Sequence, residues 1–255
     1  MMAACLAEGT TVIENAAKEP EIGDLAAFLV KRGAKISGAG SDQITVEGVP
    51  ALHGADHEVI PDRIETGTYL AAGAIAGGDI TVERCRPAHL EAVVVKLREA
   101  GVAVTEGKDS LRIKTEGRPR GIDVKTFVYP GFPTDMQAQM MALMCVAEGT
   151  SVITETVFEG RFTHVPELQR MGVDIKVEGN QAVIKGRKKI TGAPVMASDL
   201  RASAGLIVAG LAAEGITEVS RVYHLDRGYE KIEQKLSGLG AKIERVKDRA
   251  ARATA

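Results

Sequence analysis

One pattern recurs four times along this 255-residue chain and constrains its fold more than any other feature. The segments MMAACLAEGTTVIEN, YLAAGAIAGGDITVER, MMALMCVAEGTSVITE and LIVAGLAAEGITEVSR align on Gly9, Gly78, Gly149 and Gly215. The numbering differences are 69, 71 and 66 (78−9, 149−78, 215−149). Each segment reads as a helix of small apolar residues, a glycine, then a β-branched run. A second glycine follows each anchor at a near-constant offset, at Gly33, Gly101, Gly172 and Gly240. It closes amphipathic stretches such as DLAAFLVKR and HLEAVVVKLREA. Glycine just past a helix suits a left-handed terminating position. The alternating pieces QITVEG, LRIKTEG and QAVIKG then read as strands. GAGSDQ at 38–43 reads as a hairpin turn, not a phosphate loop.

The repeat therefore predicts an α/β fold of βαβαββ units, each of ~70 residues, with helices packed on sheets. The first helix of each unit is apolar all round, which places it in the interior. A few such units can close around a pseudo-threefold centre filled by those helices. The copies differ at the ends. The second, third and fourth open their first helix with DRIETG, PTDMQAQ and SDLRAS, while the first starts at MMAA. Met1–Glu8 is accordingly expected to be helical from its first residues, inside a truncated unit that exposes apolar surface and self-associates. Residues 248–255 are expected to be a disordered tail.

Composition narrows the function. A formal net charge of −2, no Trp, 5 Phe and 4 Tyr argue against a nucleic-acid surface. No apolar run reaches the ~18 residues of a spanning helix, so no membrane association is expected. The first residues lack the basic stretch of a signal peptide. Three cysteines with no CxxC pairing read as reduced thiols in a cytoplasmic protein, with no metal site. Cys5 and Cys145 each stand one helical turn before an anchoring glycine and read as small core hydrophobes. Cys85 has no adjacent base to make it a nucleophile.

Six strings carry a resemblance: ENAAKEPEI (14–22), PDRIETGT (61–68), FPTDMQAQ (132–139), ETVFEGRFTHVPEL (155–168), MASDLRAS (196–203) and DRGYEKI (226–232). Together, over residues 1–247, they resemble the UDP-N-acetylglucosamine 1-carboxyvinyltransferases, enolpyruvyl transferases of peptidoglycan synthesis. The resemblance implies an inverse α/β barrel with buried helices. It makes residues 1–60 the last unit of a truncated first domain and 61–247 a second domain of three units. The active site would lie in the cleft between them. The implied substrates are UDP-N-acetylglucosamine and phosphoenolpyruvate, with no cofactor and no metal. The family's catalytic cysteine loop and phosphate-contacting lysine match nothing in this sequence, so the chain alone is expected to be inactive. Three other functions stay open: the shikimate-pathway relative (3-phosphoshikimate 1-carboxyvinyltransferase), a ring-like scaffold, and a stand-alone nucleotide-sugar binder.

Register refines the site. Asp62 and Asp199 share one offset from their glycines (78−62 = 215−199), at a position where an aspartate caps a helix. Asp135 lies closer to Gly149, displaced by two positions into the helix, where capping explains it less well. Arg201 shares that displaced register (149−135 = 215−201). The resemblance assigns Asp135 to the sugar hydroxyl and Asp199 to a late catalytic step, while the shared register points Arg201 toward the same cleft and makes it a catalytic candidate. Arg161, Arg227 and Glu21 follow their anchoring glycines at a common offset (161−149 = 227−215 = 21−9), in the turn into the second helix. An arginine there can clamp phosphate or carboxylate, or form an ordinary rim ion pair. The resemblance directs Arg227 to the phosphoenolpyruvate site, Glu19 and Glu21 to the domain cleft, and the backbone of Val157 to the uridine side. His89 and His164, in the same turn of two units, read as packing or capping residues. Asp135, Arg201 and Arg227 are expected to open onto one face, because parallel helices gather their N-termini there.

Overall fold

In the second and third units the anchoring glycine follows the first helix within four residues, and the chain then crosses a small sheet and returns. The computed structural model describes residues 1–246. The expected tail at 248–255 lies outside the described residues. The first unit has a 3₁₀ turn at Ala3–Leu6, then β1 (Thr10–Glu14), α1 (Pro20–Lys31), β2 (Lys35–Ser37) and β3 (Gln43–Glu47). The second has α2 (Arg63–Ile75), β4 (Asp79–Glu83), α3 (Glu91–Glu99), β5 (Ala103–Glu106) and β6 (Ser110–Lys114). The third has β7 (Val124–Lys125), α4 (Gln137–Cys145), β8 (Thr150–Thr154), α5 (Val165–Arg170), β9 (Asp174–Glu178) and β10 (Gln181–Lys185). The fourth has β11 (Ile190–Thr191), β12 (Pro194–Met196), α6 (Leu200–Gly210), β13 (Ala213–Glu214), β14 (Glu218–Ser220) and α7 (Ile232–Gly238).

The sheets repeat the same wiring. The orders are β1-β3-β2, β4-β6-β5 and β7-β8-β10-β9, antiparallel except where β7 runs parallel to β8. The same backbone bond closes three units. Gly48, Thr115 and Gly186 N–H donate to the carbonyls of Gly9, Gly78 and Gly149 at 2.9, 3.2 and 3.0 Å. The terminating glycines Gly33, Gly101, Gly172 and Gly240 hold φ values of +98°, +88°, +81° and +99°, a region that side chains disfavour. The fourth unit departs from the pattern. It pairs β11 with β13 and β12 with β14, both parallel, and residues 241–246 form no return hairpin. No leading strand precedes α2 either; residues 48–62 run back along α1, with His57 Nε2 3.0 Å from Asp24.

The expected buried helices are α2, α4 and α6, packed on one another. Every residue of α4 is buried, as are Thr66–Ile75 of α2 and Ala202–Ala209 of α6. Small residues set the spacing. A Cβ placed on Gly205 would sit 2.9 Å from the Ala138 carbonyl oxygen and 3.0 Å from its Cβ. The apolar cluster of these helices spans residues 64 to 236, whereas Cys5, Leu29, Ala34, Ile44 and Val46 form a separate small cluster.

Met1–Glu8 does not form the expected helix. Only Ala3–Leu6 make one 3₁₀ turn, with Cys5 buried and Met2 and Leu6 at 65% and 59% exposure. The reason lies in packing. Helix α4 is held by α2 and α6 on its flanks, and a short apolar segment without such neighbours gains too little burial to propagate a helix. Both cysteine carbonyls still accept the equivalent bond, from Val49 N–H to Cys5 and from Arg187 N–H to Cys145, each 2.8 Å. Among the described residues no helix is long and apolar enough to cross a membrane.

The close approach at Gly205 gives a direct stability test. Gly205→Val is expected to destabilise the fold by about 1–3 kcal/mol through overpacking. Gly238→Ala, where an added Cβ meets nothing within 4 Å, is expected to leave it unchanged or slightly stabilised. Urea midpoints of the two variants check the contrast.

Candidate active site

Helix α6 begins with a capped turn. Asp199 is its N-cap and accepts from Arg201 and Ala202 N–H, each at 2.9 Å. Asp62 does the same for α2, accepting from Ile64 and Glu65 N–H at 2.7 and 3.0 Å. Asp135 has no such role. It sits in a 3₁₀ turn, Thr134–Met136, that leads into α4, and makes no capping bond. Its side chain is thereby available to the next helix.

Arg201 reaches it across that gap. The Arg201 Nε and Nη2 groups donate to Asp135 Oδ2 at 3.1 and 3.0 Å. Arg161, from the turn before α5, donates through Nη1 to Asp135 Oδ1 at 2.7 Å. A carboxylate offers about four lone-pair sites. Three are filled by guanidinium N–H groups, which leaves room for one further donor. Burial alone would raise the Asp135 pKa, but Arg201 and Arg161 outweigh it and hold the carboxyl below its usual range. Asp199 is likewise held low: burial opposes ionisation, and the Ala202 and Arg201 N–H groups, Ser198 and Arg161 favour it.

Each guanidinium has a hydroxyl behind it. Arg201 Nη1 donates to Tyr229 OH at 3.2 Å, and Arg161 Nη1 to Thr134 Oγ1 at 2.9 Å. Thr134 donates onward to Glu155 Oε2 at 2.8 Å. The Glu155 carboxylate is 3% exposed, and its Oε1 also accepts from Thr126 Oγ1, Val157 N–H and Phe158 N–H at 2.6, 2.9 and 3.0 Å. Tyr229 is equally enclosed and meets Thr68 Oγ1 at 2.9 Å and Gln139 Nε2 at 3.3 Å. Thr126, Thr134, Glu155, Tyr229, Thr68 and Gln139 escape the sequence reading as single residues. The one signal for Glu155 and Tyr229 is that both lie inside motifs, ETVFEGR and DRGYE.

The remaining expected residues are dispersed. Arg227 ends the 3₁₀ turn Val222–Arg227 and is exposed, two residues from Tyr229. It makes no hydrogen bond to Asp135 or Arg201, whereas those two residues bond each other directly. Val157 is half-exposed, with its N–H on Glu155. Glu19 is the N-cap residue of α1 without a side-chain capping bond. Glu21 is exposed and pairs with Arg63 of α2 at 2.9 Å, joining the first unit to the second. His89 lies in the 3₁₀ turn Pro87–Leu90 and His164 is the N-cap residue of α5. Among the described residues no group of three or more His, Cys, Asp or Glu could hold a metal ion. Cys5, Cys85 and Cys145 are all buried free thiols.

The family described as EPSP synthase (3-phosphoshikimate 1-carboxyvinyltransferase) matches residues 1–236, and the chain belongs to it. The relatives are more specific. The chain is 64% identical, over 97% of its length and 58% of theirs, to the UDP-N-acetylglucosamine 1-carboxyvinyltransferase of Anaeromyxobacter sp. (strain Fw109-5). It is 60% identical to the protein of that name from Geobacter metallireducens, over 97% of its length and 60% of the relative's. The chain thus spans about three fifths of the curated relatives it matches. Among solved structures, the enolpyruvyl transferase NikO from Streptomyces tendae superposes with a TM-score of 0.84 at 30% identity, over 94% of this chain and 58% of that one. The EPSP synthase from Acinetobacter baumannii shares the fold, with a TM-score of 0.73 at 20% identity, over 96% of this chain and 60% of that one.

His164 supplies a pH test of this region. It is 3% exposed with Nε2 unpartnered, and burial lowers its pKa from 6.5 to about 4. The unfolded chain therefore takes up the proton first as pH falls. The stabilisation is complete above about pH 6.5 and is lost as pH falls to about 4, by roughly 3 kcal/mol. Urea unfolding of wild type and His164→Gln at pH 7 and pH 4 checks it. The variant is expected to lose this share of the acid sensitivity, and an identical pH slope would contradict neutral burial.

Proposed function

We propose that this chain carries one half of a site that transfers the enolpyruvyl group of phosphoenolpyruvate to the 3-hydroxyl of UDP-N-acetylglucosamine, a step of peptidoglycan synthesis. The observation that carries the reading is Asp135, ionised between two guanidiniums with one lone-pair site unfilled. In the reaction the sugar oxygen bonds to C2 of phosphoenolpyruvate while C3 gains a proton. The C2–O bond to phosphate then breaks, phosphate leaves with the electron pair, and C3 gives up a proton to restore the double bond. Asp135 orients the hydroxyl through its open lone pair and accepts the proton as the C–O bond forms. Arg201 and Arg161 offset the negative charge gathered there, and Arg227 serves the phosphate and carboxylate. Asp199, fixed as the α6 cap, acts on the later proton transfer. Val157, Glu19 and Glu21 line the substrate cleft.

In this reading residues 61–247 form one barrel domain of three units, and 1–60 belong to a second. The separate apolar clusters of the two parts support that division. The exposed Met2, Leu6 and Val12 side chains support self-association through the first unit. The cytoplasmic setting rests on the resemblance. A ring-like scaffold fits less well, because the inward helix faces are apolar and filled rather than basic and open.

The test has two arms. The purified chain with UDP-N-acetylglucosamine and phosphoenolpyruvate is expected to release no phosphate above a blank, because its three cysteines are buried thiols; robust turnover would overturn that statement. Residues 1–246 grafted in place of the matching segment of the Anaeromyxobacter relative should then restore turnover. In that hybrid Asp135→Ala should lower turnover by roughly 10²–10⁴-fold, and shikimate 3-phosphate should not replace the nucleotide sugar. Preference for shikimate 3-phosphate would select the other branch of the family.

A further inference from the structure

The two hydroxyls behind the guanidiniums each have only one way to bond. Thr134 has a single proton and points it at Glu155 Oε2, 2.8 Å away. The other Glu155 oxygen already receives two backbone N–H groups and the Thr126 hydroxyl, which turns Oε2 to Thr134. Thr126 accepts from Thr156 N–H at 2.9 Å, and its own proton has the Glu155 Oε1 at 2.6 Å as its nearer acceptor, the Thr154 carbonyl lying at 3.5 Å. Thr134 therefore meets Arg161 with a lone pair and never with its proton.

The same logic runs through the core on the other side. Thr68 donates to the Ile64 carbonyl at 2.8 Å, as a helical threonine does. Its oxygen is then an acceptor, so Tyr229 donates its proton to Thr68 at 2.9 Å. Burial raises the Tyr229 pKa although Arg201 and Thr68 oppose it, which keeps the phenol protonated for that bond. The phenol lone pairs are left for Arg201 Nη1 at 3.2 Å and Gln139 Nε2 at 3.3 Å. Gln139 Nε2 also donates to Thr68 Oγ1 at 2.9 Å, closing a ring that links α2, α4 and the segment after the fourth sheet.

We infer that Glu155 and Tyr229 are positioning residues for the Asp135 site, one for each guanidinium: Glu155 aims Arg161 through Thr134, and Tyr229 aims Arg201 directly. Neither touches Asp135. Each removes the alternative hydrogen-bond direction that would let its arginine turn away. Both arginines then present fixed N–H groups to Asp135, keep it ionised, and leave the same lone-pair site open. The role extends the proposed enolpyruvyl transfer, but the geometry requires no substrate.

The experiment follows the Asp135 carboxyl carbon by NMR titration of the full chain, with Asp135→Asn identifying the resonance. Wild type should titrate below the ordinary aspartate range. Tyr229→Phe and Glu155→Gln should each shift the titration upward, because one guanidinium loosens. Thr134→Val is a second route to the Arg161 arm should Glu155→Gln fail to fold. Ile44→Val, in the separate cluster of the first unit, should lower the thermal midpoint without moving Asp135. An unmoved Asp135 titration in folded Tyr229→Phe and in a folded Arg161-arm variant overturns the inference, as does an equal shift in Ile44→Val. UDP-N-acetylglucosamine binding measured on the same samples reports separately on the proposed function, so the two can fail independently.

Discussion

The helical core and the charged cluster beside it depend on how closely α4 and α6 can approach. Gly205 against Ala138 sets that distance, and no residue with a Cβ fits there without displacement. The approach brings the start of α6 beside the start of α4. Arg201, in the first turn of one, then spans the gap to Asp135, ahead of the first turn of the other. A wider spacing would break the two Arg201–Asp135 bonds and leave Arg201, 13% exposed, without its charge partner, at considerable cost. The close packing of small residues and the charged cluster thus adjoin, a few residues apart on the same helices.

The charged cluster is itself asymmetric. Asp135 faces two cations and is held in the ionised form, which makes it a weak base at rest and a strong orienting acceptor. Its surroundings are not a solvent-exposed ion pair, where the median contribution is small. The Arg201 and Arg161 side chains are 13% and 19% exposed, and both lean on aromatic rings, Tyr229 and Phe158. The charge pattern is therefore carried by groups whose orientation the fold controls, which is the property an active site needs.

Much of this was legible in the sequence because the repeat is a ruler. Counting back from Gly149 and Gly215 separates Asp135 from the capping aspartates, and the structure bears this out: Asp62 and Asp199 cap, Asp135 does not. The same count pairs Asp135 with Arg201, although a whole repeat separates them along the chain. What counting cannot supply is burial. Glu155 looks like an ordinary strand-end glutamate until Thr126 and Thr134 fold over it. In DRGYE the arginine draws attention, yet Arg227 is exposed and Tyr229 turns inward to hold Arg201. Counting also misleads where a repeat lacks neighbours. Met1–Glu8 has the residues of α4 but nothing like α2 and α6 around it, and a single 3₁₀ turn results.

A double-mutant cycle between Asp135 and Arg201 tests the central claim most directly. Urea unfolding of Asp135→Asn, Arg201→Gln and the double variant at pH 7 gives their coupling free energy. Residues this far apart in sequence couple only if the α4–α6 approach brings them together. The account expects the single-variant effects to fall short of additivity by about 1 kcal/mol or more. Additivity within roughly 0.5 kcal/mol would contradict it, because independent sites behave that way.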